Sequence, residues 1–439
     1  MKKHIKLLVV LGIILVGSFS FYLFEGYKKD ALVYENNKIM PSSSGIAMML
    51  ETSAGSGNYE MTTRSEWPTE GYVFNANLSK CENGSELSWD NENKKVLMSG
   101  NKSDKCYVYF DVYVKQRFDQ SCNDNTLACH TAKLYTGTQG ENGIYYHDTS
   151  LTNGAGDNSY RFAGASDQVN NYVCFGSSTT PCPADNLYRI IGVFGDKVKL
   201  IKSDYATTAL LGTDGDYKQA YTATNWSSSN YKGNNLTNIA AYTWNYKNNT
   251  TINSGYGSNT WSTSLLNKTN LNKNFITNVG ADWAAKIADT TWKVGGNTGA
   301  NIYSQPAKTA YQNEIVSPVT TNTTDNATTY SAKVGLMYVS DYMYAAPQDK
   351  WTLVGYNGND ASKDYRAATS VNWMYMGLLE WTISRYADYA FFVFYVNYTG
   401  SVLNLNAKFA FALRPVFYLT SSVNYVSGSG TAADPISIN

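Results

Sequence analysis

Residues 372–419 carry a pattern that a half-buried strand pair does not produce. The run reads NWMYMGLLEWTISRYADYAFFVFYVNYTGSVLNLNAKFAFALRPVFYL. Strands that bury one face alternate apolar with polar side chains. Here Tyr386, Tyr389, Phe391, Phe392, Phe394, Tyr395 and Tyr398 occupy both parities. Tyr and Trp give large contact area for little lost conformational freedom, which is why evolved binding surfaces use them. The pattern points to a binding face more than to an active site. Phe394, Val396 and Val402 alternate with polar or small neighbours and are expected in the core.

Elsewhere the pattern predicts short strands. Residues 72–78 and 107–114 (YVYFDVYV) alternate, and NNYVCF and LYRIIGVF read as two more strands. Gly195-Asp196 then makes a two-residue turn into KVKLIKSD, the chemistry of a hairpin. Residues 261–276 and 282–289 read as short amphipathic helices, and residues 333–345 as a strand passing into a helix. NWMYMG, EWTISR, FFVFYVNY, SVLNLN and FALRPVFYL follow as short strands, with Tyr398-Thr399-Gly400-Ser401 as a turn between two of them. No long internal repeat is visible. The expected architecture is α+β. Residues 1–30 form a membrane segment and the start of a stalk, residues 31–117 a small all-β, sandwich-like domain, residues 118–142 a linker, and residues 143–439 the last domain.

The N-terminus adds a location. MKKHIK is basic, and residues 7–24 are apolar, near the lower limit for spanning a bilayer. A signal-anchor with its N-terminus inside follows from the positive-inside bias. Cleavage after Ser20 is the alternative. Both export the rest of the chain. The 439 residues include 35 basic and 35 acidic side chains, so the chain lacks the basic surplus that nucleic acid or an anionic membrane surface would require. Charged residues are 16% of the chain, and Tyr, Asn, Thr, Ser and Gly carry the polarity, as suits an extracellular β-rich protein. An even set of six cysteines after an export signal implies disulfides. Sequence neighbours pair Cys81 with Cys106, Cys122 with Cys129, and Cys174 with Cys182. Zinc is not expected, because there is no C-x-x-C and only His130 lies near a cysteine.

Several words fall in a telling order: NNYVCFG…CPADNLYRIIGVFGDKVKLIKSD, VGLMYVSDYMYA, WMYMGLLEWTISR and ALRPVFYLTSSV…GSGTAADPI. Together they resemble a family of exported proteins of low-GC Gram-positive bacteria and their phages. That family's C-terminal module is similar to the C-type-lectin-like fold, and the resemblance covers residues 143–439. Residues 386–411 further resemble the variable region of target proteins of diversity-generating retroelements. Those systems mutate adenines in Asn codons, so that the displayed positions read as Tyr, Phe, Ser, Leu, Ala, Asp or Thr. RYADYAFFVFYVNYTGSVLNLNAKFAF fits that alphabet. Asn397, Asn404 and Asn406 read as unmutated codons and Lys408 as framework. The resemblance implies a surface-displayed, non-enzymatic, ligand-binding protein.

The candidate ligand-binding residues are Tyr386, Tyr389, Phe391, Phe392, Tyr398, Leu403, Leu405, Phe409 and Phe411. The expected partner is a protein or glycan on another cell or phage, with the membrane engaged through the N-terminal helix. Trp373 and Trp381 are expected in the core, with carbohydrate stacking as the alternative. Arg414 is expected to pair with Glu380 or Asp388 and pin a strand. No catalytic residue, cofactor or metal is expected. His147 neighbours Asp148 in HDTS, but adjacent residues rarely form a triad by themselves. The calcium words of sugar-binding C-type lectins are missing. Two other readings remain: a glycan-acting envelope enzyme using Glu380 and Asp388, and a structural surface protein with every ring buried.

Overall fold

The computed structural model describes residues 31–33 (backbone only), 45–64, 66–101, 103–113, 117–222, 225–234, 236–248, 255–318 and 327–439. The apolar run at residues 7–24, expected as an anchor or leader, lies outside them. Among the described residues no helix is long and apolar enough to cross a membrane. The chain divides into two compact units, Met1–Gln116 and Arg117–Asn439. Its secondary structure is mixed α+β with strands in the majority.

Alternation builds the first unit. Strand Ile46–Glu51 buries Ile46, Met48 and Leu50, Cys106–Val112 buries Cys106, Val108 and Phe110, and Lys95–Ser99 buries Val96 and Met98. These positions repeat every two residues, so each strand offers one face to a shared core. One sheet runs in the order Tyr59–Met61, Ile46–Glu51, Cys106–Val112, Tyr72–Phe74, with the inner pair parallel. The other runs Ala31–Val33, Lys95–Ser99, Glu86–Asp90. Trp67 and Phe110 fill the centre, with Trp89 and Phe74 against Phe110. Cys81 faces Cys106 across the sheet and is bonded to it.

The second unit is organised by a sheet in the order Val334–Gly335, Val416–Tyr418, Lys197–Lys202, Leu187–Phe194, Ser159–Phe162, Ile144–His147. The predicted hairpin forms, Phe194 facing Lys197 across a turn in which Gly195 holds φ +65°. Residues 333–345 follow expectation as strand Val334–Gly335 and helix Val339–Tyr344. Trp261–Thr263 and Leu266–Phe275 are helical, as is Ala281–Ala285. NWMYMG is not a strand: the Asn372 side chain accepts from Met374 N and donates to Tyr342 O, folding the chain into a turn.

Residues 118–142, expected as a linker, belong to the second unit. Helix Leu127–Ala132 buries Leu127, Ala128 and Ala132 in the main core. Its start is capped by Thr126, whose hydroxyl accepts from Cys129 N at 3.2 Å. The Cys122–Cys129 and Cys174–Cys182 bonds form as sequence neighbours. The three bonds fit an oxidising environment.

A second sheet carries the aromatic run. Gly296–Asn297 pairs in parallel with Glu380–Tyr386, which pairs antiparallel with Phe392–Val396, followed by Val402–Asn406 at the edge. Val393 and Phe394 point to opposite faces, yet both are fully buried. The inner strand is covered on both sides, so its lack of alternation is a core property.

Candidate functional site: an aromatic plateau

The framework words hold the hairpin. Arg414 and Glu380 form a buried bidentate pair, Nε to Oε1 at 2.8 Å and Nη2 to Oε2 at 3.0 Å. Burial works against the Arg414 charge, but the Glu380 carboxylate outweighs it and holds the guanidinium above its ordinary value. Thr382 donates to Phe394 O at 2.6 Å, and Ser384 donates to Glu314 at 2.5 Å. Trp373 and Trp381 are buried, and their indole N–H groups donate to Phe162 O and Tyr242 O. Both are core residues.

At the end of strand Glu380–Tyr386 the chain turns through residues 387–391, and the rings gather there. Tyr386 lies 6.1 Å from Tyr389 and 5.9 Å from Phe392 between ring centres. Tyr389 contacts Phe391 and Phe392 at 5.8 and 5.5 Å, and Phe391 meets Phe392 at 4.7 Å. Tyr389 is 52% exposed, while Tyr386, Phe391 and Phe392 are half-buried. A further ring arrives from elsewhere in the chain: Tyr256 stacks on Phe391 at 5.2 Å. The Lys408 ammonium lies 4.8 Å from the Tyr256 ring and 5.8 Å from that of Phe409, itself 41% exposed. The result is a plateau of rings with a cation at its border.

One side chain fixes this turn. Asn259 is fully buried, and its amide nitrogen approaches Tyr386 O, Tyr389 O and Phe392 O at 3.0, 2.8 and 3.0 Å. Its two amide hydrogens are thus shared among three carbonyls. Its backbone N–H donates to Ala390 O at 2.8 Å. On the other side Ala387 N donates to Asn297 O, and Gly299 N donates to Asp388. Partial burial and the Asp388 carboxylate push the Tyr386 phenol up to about 12, so it stays a neutral donor at physiological pH.

The remaining candidates separate from this cluster. Tyr398 is half-buried at the opposite turn, roughly 20 Å away by strand rise. That turn forms as expected, with Gly400 N donating to Asn397 O at 2.8 Å. Gly400 holds φ +91°, and a Cβ there would meet Thr369 at 2.2 Å. Leu403 and Leu405 are half-buried on the edge strand, opposite Tyr395 and Val393. Phe411 is a correction: it is buried, its ring 4.4 Å from Trp381 and 4.8 Å from Tyr395, because Ala410–Phe411 pairs with Ala240–Thr243. Phe394, Val396 and Val402 are buried, as expected. Tyr256 and Asn259 were not anticipated. They sit in an Asn-, Ser- and Thr-rich stretch whose pattern gives no signal.

The groups considered for catalysis do not converge. His147 is fully buried, its Nδ1 accepting from Ala155 N at 3.1 Å, and burial pushes it well below its ordinary value. Asp148 instead accepts from Ser150 and Leu151 N within its own turn. His130 stacks on Tyr425 at 3.6 Å. Glu380 and Asp388 sit at opposite ends of a strand, over roughly 20 Å apart by strand rise, whereas glycosidase carboxyls lie about 5–9.5 Å apart. A depression of about 520 Å³ between residues 177–182 and 433–439 shares no residue with the plateau. No protein-family model matches the chain, and searches of curated proteins and of solved structures find no match.

Proposed function

We propose that the second unit is a ligand-binding domain, C-type-lectin-like in fold, displayed at the bacterial or phage surface, whose binding face is the plateau of Tyr386, Tyr389, Phe391, Phe392, Tyr256 and Phe409. The observation that carries this reading is the grip of Asn259 on three backbone carbonyls of the turn. Every residue type has a carbonyl. The turn therefore keeps its shape whatever side chains it bears, which is what a diversified site needs. Exposed rings at the centre with polar groups at the border match the anatomy of binding hot spots, and clustered apolar exposure of this kind marks interaction sites. The ligand is a protein or glycan, and residues 7–24 anchor or export the chain.

Two experiments test the proposal. The full-length protein is screened against immobilised glycans and displayed bacterial surface proteins, beside a Tyr256→Ser, Tyr389→Ser, Phe391→Ser variant. The expected result is a ligand that the wild type retains and the variant loses, with the unfolding midpoint nearly unchanged. Equal retention by both proteins overturns the binding face. Diversification is tested in DNA: a near-identical repeat with Asn codons at the plateau positions is expected beside a reverse transcriptase gene. Natural copies of the gene that vary at Phe394, Val396 and Val402 as often as at Tyr389 and Phe391 would sink it.

A further inference from the structure

Lys199 and Asp341 meet inside the second unit, with Glu314 bonded to the residue before Asp341, and none belongs to the plateau. Lys199 lies on strand Lys197–Lys202, Asp341 in helix Val339–Tyr344 and Glu314 in helix Gln312–Val316. They are 1%, 3% and 1% exposed. Lys199 Nζ is 2.5 Å from Asp341 Oδ2. The rings of Phe194, Trp292, Tyr338 and Tyr418 surround the amine, with centres at 5.5, 5.8, 4.7 and 5.5 Å. Glu314 accepts from Ser340 N at 3.0 Å, one residue before Asp341, and from the Ser384 hydroxyl. Arg161 Nη1 stands 3.8 Å from the other Asp341 oxygen, Oδ1, and its Nη2 contacts Asp157 at 2.6 Å.

This is an expensive place for an ion pair, because aromatic walls replace the water that would solvate it. Burial pushes the Lys199 ammonium down, toward the free amine, against the pull of Asp341. Burial also pushes Glu314 up to about 7, so that it is available as an acid near neutrality.

We propose that Lys199 and Asp341 condense in the folded chain to an amide, a covalent cross-link between strand Lys197–Lys202 and helix Val339–Tyr344. A proton passes from Nζ to Oδ2 across their contact, leaving an amine and a carboxylic acid. The Nζ lone pair attacks Cγ and forms the C–N bond, while the carbonyl electron pair moves onto Oδ1, on the side of Arg161. Glu314 gives its proton to the Oδ2 hydroxyl. The Cγ–Oδ2 bond breaks and its electron pair leaves with water as the carbonyl re-forms. Glu314 then takes the surplus proton from nitrogen and is restored. One water is released and nothing is oxidised or reduced. A cavity of about 50 Å³ bordered by Lys199, Ser340 and Asp341 has room for it. The fold holds amine and acid in contact, which supplies the effective concentration that condensation needs. The product replaces a buried ion pair with a neutral amide, and Arg161 keeps Asp157 as its partner.

The test is peptide mapping of the full-length protein by mass spectrometry after disulfide reduction and trypsin digestion. The expected product is a branched species in which peptide 198–202 is joined to peptide 334–350, its mass one water below the sum of the two. Glu314→Gln leaves both reacting groups in place, and it is expected to reduce the branched species at least tenfold while far-ultraviolet circular dichroism is unchanged. Folded wild-type protein that yields only cleavage after Lys199 and an unmodified peptide 334–350 overturns the proposal. So does a branched species whose fragment ions place the link away from Lys199 or Asp341. A Glu314→Gln protein that cross-links as fully as wild type overturns the role given to Glu314.

Discussion

The second unit uses rings in two opposite ways. At the plateau, Phe392 meets Tyr386, Tyr389 and Phe391 edge to face, Tyr386 and Tyr389 stack, and the cluster leaves one side open. Around Lys199 and Arg161, Phe194, Trp292, Tyr311, Tyr338 and Tyr344 close over charged groups. The residue types are the same, and what differs is how each set is attached. Tyr389, Phe391 and Phe392 hang from a turn held through main-chain carbonyls, so replacing them leaves the backbone's partners intact. The inner rings are themselves partners: Trp292 donates to Ala332 O, and the Tyr338 hydroxyl both donates to Lys293 O and accepts from Lys293 N. Ring content alone therefore says little about use.

The contrast is sharpest by deletion. Trp292→Ala is expected to cost about 3–5 kcal/mol, the usual range for emptying a buried aromatic site, measured by urea unfolding of the full chain. A loss below about 1 kcal/mol would place Trp292 outside the load of the core. Next in size is a pH effect confined to the inner set. Glu314 titrates near 7 in the folded chain and near 4.3 when unfolded. Above the lower value the folded state binds more protons, so stability falls as pH rises. The contribution is complete below about pH 4.3 and is lost through pH 7, on the order of 3 kcal/mol. Glu314→Gln is expected to flatten that decline, and denaturation curves at pH 4.5 and 7.5 for both proteins decide it.

Smaller effects belong to the plateau. Asn259→Ala leaves three carbonyls without their shared donor and is expected to cost about 1–3 kcal/mol. Hydrogen exchange is expected to rise first at Ala387, whose N–H closes the turn against Asn297. Uniform acceleration across the sheet would mean that Asn259 supports the whole hairpin. Smallest is Tyr389→Ser, expected to change stability by less than about 0.5 kcal/mol, since this ring is half in water. A larger loss in calorimetry would return Tyr389 to the core.

Much of this architecture was legible where local chemistry decides the outcome. Gly195-Asp196 carries the turn chemistry of a hairpin, and the cysteines pair in consecutive order along the chain, first with second, third with fourth and fifth with sixth. Trp373, Trp381 and the pair of Arg414 with Glu380 could be placed because buried indoles and guanidiniums need named partners. What remained hidden depended on distant segments. Phe409 and Phe411 share a parity in the text, but only Phe411 has Trp381 above it. Leu127, Ala128 and Ala132 sit in a helix too short to show a period. Asn259 looks like any other asparagine of its stretch until the turn it holds is seen.

Strand Glu380–Tyr386 has a further consequence. Glu380, Thr382 and Ser384 are spaced two residues apart along it, and each meets a different buried partner. A slip by one residue would drive all three into positions without those partners and turn Trp381 and Ile383 to the wrong face. Three polar partners thus fix the frame in which this strand sits.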